Sequence, residues 1–141
     1  MKYRSTLMLF GLFMYVVSAS AQSDDLEVSE KLCREWKQSE VVDHETGERL
    51  KTEKEAIRVV LNTDGTFVQW LGENKMEGRW RYQSDGARLF LKVEVYNEQV
   101  IESKAQRTYE WIVVSVSENK MEWVRQDRDR LSRFVFAGTN E

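Results

Sequence analysis

Few side chains in this 141-residue sequence are equipped for chemistry, and their neighbours decide what they can do. There is one histidine, His44, and one cysteine, Cys33. A general base needs a nucleophile within hydrogen-bond reach and a group that orients it. His44 instead stands in Asp43-His44-Glu45-Thr46-Gly47-Glu48, a polar run that reads as a turn and predicts a solvated loop imidazole. Cys33, in Glu30-Lys31-Leu32-Cys33-Arg34, is either a small buried apolar side chain or a reactive thiol. It has no second cysteine with which to close an internal disulfide. The sequence holds no Gly-rich phosphate loop, no Cys/His spacing suited to a metal and no nucleophile elbow around a serine. Carboxylates are plentiful, but Glu77 and Glu94 fall at outward strand positions, where they serve solubility. The expectation is a non-enzymatic protein with no metal or cofactor.

The side chains that form a pattern are apolar. From Leu61 to Tyr82 the chain reads as two successive hairpins: Asn62-Thr63-Asp64-Gly65 turns Leu61 back into Phe67, Gln69 and Leu71, and Gly72-Glu73-Asn74 turns again into Met76, Gly78, Trp80 and Tyr82. Beyond the Gln83-Ser84-Asp85-Gly86 turn, Leu89, Leu91, Val93 and Val95 alternate with Arg88, Phe90, Lys92 and Glu94. Further strands are expected at Trp36 to Val42, Ala56 to Leu61, Arg107 to Val116, Met121 to Gln126 and Leu131 to Ala137. Tyr109, Trp111 and Val113 share one face of the Arg107 strand, with Ile112, Val114 and Val116 on the other. Asp24 and Asp25 ahead of Leu26, Val28, Leu32 and Cys33 predict a short helix at the start.

Eight strands with tight turns and no proline predict sequential antiparallel neighbours. Such a sheet removes its unpaired edges by closing, so the expected fold class is all-β, an eight-stranded antiparallel up-and-down barrel with a short N-terminal helix. A split sandwich or an α+β roll is the alternative. The inward set would then offer a ligand-binding wall of Phe67, Gln69, Leu71, Met76, Trp80, Tyr82, Leu89, Leu91 and Trp123. Gln69 and Tyr82 would orient the polar end of a small hydrophobic ligand. The rival is a solidly packed barrel that binds a protein or glycan partner through outer aromatics, to which this register assigns Trp70, Phe90 and Trp111. The charged run from Arg49 to Glu55 is either a solvated loop or a flap over the mouth.

Residues 1–21 carry Lys2 and Arg4, an apolar stretch from Leu7 to Val17 and then Ser18-Ala19-Ser20-Ala21, the pattern of a signal peptide cleaved after Ala21. The apolar stretch is well short of the roughly 20 residues that cross a bilayer, so no stable membrane anchor is expected. The expected product is an exported domain, residues 22–141, periplasmic or secreted. Losing Lys2 and Arg4 with the leader takes the formal net charge from −3 to −5. A mildly acidic product argues against nucleic acid as a partner, and none is expected.

The order of several short motifs resembles that of lipocalin-like barrels, in particular the small exported lipocalin-like domains of Bacteroidetes. Leu32-Cys33-Arg34-Glu35-Trp36 is similar to their L-x-G-x-W first strand, the run Leu61 to Phe67 with Asp64-Gly65-Thr66-Phe67 to their D-G-T-F hairpin, and Glu77-Gly78-Arg79-Trp80 to their G-x-W strand. Val114 to Trp123 matches the late hairpin. Arg34 stands where that family usually has Gly. The resemblance implies a calycin-type barrel and a late-strand arginine packed across the first-strand tryptophan, which puts Arg133 near Trp36.

Overall fold

The computed structural model describes residues 26–50, 56–127 and 129–139 of the chain. The expected leader, residues 1–21, and residues 51–55 of the charged run lie outside them. A seven-residue helix, 26–32, leads into strands β1 (Glu35–Asp43), β2 (Ile57–Leu61), β3 (Thr66–Leu71), β4 (Asn74–Gln83) and β5 (Arg88–Tyr96). There follow a two-residue β6 (Gln99–Val100), a short 3-10 turn at Ser103–Ala105, β7 (Arg107–Val116), β8 (Lys120–Asp127) and β9 (Arg130–Gly138). Every long strand pairs antiparallel with its sequence neighbour, except that β5 pairs past β6 with β7. β1 and β9 join from Trp36↔Gly138 to Asp43↔Ser132. The sheet therefore closes on itself as an eight-stranded barrel, as closure of the edges predicts, and β6 adds only a short ribbon to the end of β5.

Turn chemistry explains the local geometry. Gly65 adopts φ +85°, the left-handed backbone that its hairpin needs, while Asp64 Oδ1 accepts from the Thr66 amide at 2.9 Å and the Thr66 hydroxyl at 2.6 Å. Asp43 does the same after β1, accepting from the amides of Glu45 and Thr46 at 2.9 and 3.0 Å. At the β5–β6 turn Asn97 ties two hairpins together. Its Oδ1 accepts from the Lys75 amide and its Nδ2 donates to Asn74 Oδ1.

Three irregularities set which side chains face inward. The pairing shifts by one residue between Gln38 and Glu40, between Glu77 and Gly78, and between Val113 and Ser115. Each is a bulge that reverses the inside-outside alternation beyond it. Trp111, ahead of the last bulge and paired with the inward Leu89, is an inner residue, 3% exposed, with its ring centroid 4.9 Å from that of Trp123 and edge-on to Phe134 at 5.2 Å. This corrects the outer position assigned to it above. Ile112 and Val114 are the outer residues of β7, and the bulge turns Val116 back against the core.

Candidate functional site

All nine residues of the expected ligand wall belong to or pack against the inner core, and they do not share one surroundings. Phe67, Leu89, Leu91 and Trp123 are fully buried and Gln69 nearly so, whereas Leu71, Met76, Trp80 and Tyr82 are half-buried. Cross-strand register brings most of them together as direct neighbours: Gln69 opposite Met76, Trp80 opposite Leu91, Tyr82 opposite Leu89. Trp123 lies on β8, across from them. The space between is occupied by Trp36, Trp111, Phe134 and Phe136, with Trp123 and Phe136 only 4.7 Å apart between ring centroids. Rings in contact at such spacings bury one another's surface in the manner of a packed core.

Both ends of the tube are also covered by apolar groups. At one end, Leu32 of the helix is fully buried and its carbonyl accepts a 3.0 Å hydrogen bond from Trp36 Nε1, with Val28 packed alongside. The guanidinium of Arg34 lies 5.3 Å from the centre of the Trp36 ring. The arginine on this tryptophan is thus Arg34 and not Arg133. Arg133 is paired with Val42 and Val124, whose side chains point away from the inner cluster. A residue next but one in the chain reaches the ring with no need for a long-range partner. At the other end Leu50 and Ile101, from the connections after β1 and β6, pack on the core, held by Leu50 N–H to Val41 and Ile101 N–H to Glu94. Arg125 sits over both Trp111 and Phe134, at 4.9 and 5.3 Å.

Among the described residues a concavity lies on the outer wall, where β3, β4 and β5 meet. It is an open groove of about 320 Å³ centred on the Glu77–Gly78 bulge. Its floor is Gly78, Val68, Val95 and Phe67; Thr66, Glu77, Arg79 and Glu94 form the rim. Gly78 is required here for room: a Cβ would collide with the Lys92 carbonyl oxygen and come within 3.0 Å of Phe67 Cε1. The rim charges are paired, Arg79 Nε with Glu94 at 3.5 Å and Lys75 Nζ with Glu77 at 3.2 Å. Trp70 and Phe90 do lie on the outer wall, each beneath an arginine at 4.0 Å, Arg58 and Arg81 respectively. The bulge at the groove, where Glu94 is the extra residue of β5 opposite Glu77 and Gly78, leaves one trace in the sequence, the glycine of the facing strand.

His44 occupies the turn after β1 as expected, but its ring is half-buried and Nδ1 is enclosed with no hydrogen-bond partner among the described residues. Its amide donates to Leu131 O at 2.8 Å, which pulls the turn down onto β9 and takes the ring out of full solvent. Burial, and next the nearby Glu30, push the Cys33 thiol above its ordinary value. Among the described residues no three His, Cys, Asp or Glu side chains are grouped so as to hold a metal ion, and no helix is long and apolar enough to cross a membrane. Comparison with family models, with curated proteins and with solved structures returned no match.

Proposed function

We propose that this protein is an exported, non-enzymatic, lipocalin-like barrel that works as an interaction module, binding a partner through its outer wall. The observation that supports the reading is the buried aromatic cluster: Trp36, Trp111, Trp123, Phe134 and Phe136 all belong to one core, and Trp111, Trp123, Phe134 and Phe136 are linked by close ring pairs where a carrier would hold its cargo. The closed barrel, the helix under the Trp36 end and the motif order support the lipocalin-like part of the reading. Residues 1–21 support export, and N-terminal sequencing of protein from its native host is expected to begin at Gln22.

A second reading, a small apolar ligand taken into the barrel, is favoured by Leu71, Met76, Trp80 and Tyr82, which face the core yet remain half-exposed. Titration with palmitate separates the two. The interior tryptophans are the reporters, and the module reading expects no saturable change in their fluorescence. A saturable change with about one equivalent bound would select the carrier.

A further inference from the structure

We propose that the groove over the Glu77–Gly78 bulge is a saccharide subsite, taking one or two units of an uncharged glycan; this rests on the outer-wall reading above. Its volume of about 320 Å³ lies at the lower end of the range for small-molecule sites. Val68 and Val95 present carbon surface of the kind that the C–H face of a pyranose covers, over the buried ring of Phe67. The rim presents planar polar groups. A sugar hydroxyl donates and accepts at once, and the Glu77 and Glu94 carboxylates with the Arg79 guanidinium supply both counterparts as charge-assisted hydrogen bonds.

The competing occupants fit less well. Each rim carboxylate already has its cation, Glu94 with Arg79 on the rim and Glu77 with Lys75 beside it, so a charged partner finds no unmatched charge to neutralise, while a neutral polyol suits a rim whose charges are balanced once Lys75 is included. A purely apolar ligand would strip water from these ions and return nothing to them. An extended peptide cannot add to the sheet here, because β4 is paired with β3 on one side and β5 on the other.

The test is a ¹H–¹⁵N NMR titration of residues 22–141, the expected mature chain, with glucose, N-acetylglucosamine, maltose, cellobiose and chitobiose as probes. At least one should give saturable millimolar shifts at the amides of Val68, Gly78 and Val95. Glu94→Gln, an exposed-rim change that leaves the core untouched, should weaken that binding about tenfold, the loss expected for one charge-assisted hydrogen bond. Lys37→Gln, on the far outer wall, should leave it unchanged. If none of the probes moves the groove amides while the indole signals of Trp36 and Trp123 also stay fixed, the saccharide assignment is overturned and the outer-wall reading survives. If sugars shift the interior indoles in place of the groove amides, both are overturned.

Discussion

Replacing Gly78 by alanine adds one methyl group and should nevertheless rank among the most damaging small changes in the chain. The glycine has an ordinary negative φ, so conformational strain is not the reason. The new Cβ would overlap the Lys92 carbonyl oxygen, lie 2.9 Å from its carbon, and press on Phe67 Cε1 at 3.0 Å. Neither neighbour can yield easily, since Lys92 is held in register between Arg79 and Thr108, and Phe67 is fully buried. Overpacking of this kind costs about 1–3 kcal/mol, and with backbone as the obstacle the upper figure applies, a fall in Tm on the order of 10 °C. Urea denaturation followed by circular dichroism measures it. Gly65 is the control. Nothing lies within 4 Å of a Cβ there and only φ +85° is demanding, so asparagine should be tolerated at 65 and not at 78. A loss under about 1 kcal/mol for Gly78→Ala, with an unchanged m-value, would show that β5 does not approach β4 as described.

Other outcomes follow from the same geometry. Trp111→Ala should destabilise by about 3–5 kcal/mol, since it removes a core ring against Trp123 and Phe134 and the seat of Arg125; an effect below about 1 kcal/mol would return Trp111 to the outer wall. Trp80→Ala should cost about 3 kcal/mol, combining lost packing with the 2.8 Å bond from Nε1 to Asn62 O, and thermal melts would report it. Cys33 should react with a disulfide reagent at pH 8 more slowly than free cysteine and regain the free rate in denaturant, because burial and Glu30 disfavour its thiolate. The Asp64 carboxyl is held below its ordinary value by the Thr66 hydroxyl and then the Thr66 amide. A folded-state pKa below the unfolded one means stability present above the unfolded value and lost as pH falls through the folded value. NMR titration should therefore place the Asp64 midpoint below that of the unfolded chain, and Thr66→Val should raise it.

Much of the barrel could be read from alternation and turns, because both are local. Leu89, Leu91 and Val93 repeat every second residue and face inward as read, and Asp64-Gly65 turns the hairpin it predicts. The departures in register come from bulges. A bulge leaves little mark in sequence, yet it reverses every later side chain of its strand, which is how Val116 comes to join Trp111 and Val113 against the core. Arg133 failed for a different reason: two arginines could have reached Trp36, and sequence distance does not reveal that the nearer one, Arg34, is carried there by the turn after the helix. The groove was invisible, since it arises from three strands converging on one missing side chain, and only Phe67 among the expected ligand wall belongs to it.

A function on the outer wall requires the tube to be full. Xenon enters apolar voids and stays out of packed interiors, so methyl-resolved NMR under xenon pressure tests this directly. The packing of Trp36, Trp111, Trp123 and Phe136 predicts no saturable shift at the methyls of Val59, Leu61, Leu89 and Leu91, all core residues. Saturable shifts at those methyls would reveal an inner cavity and hand the function back to a cargo held inside.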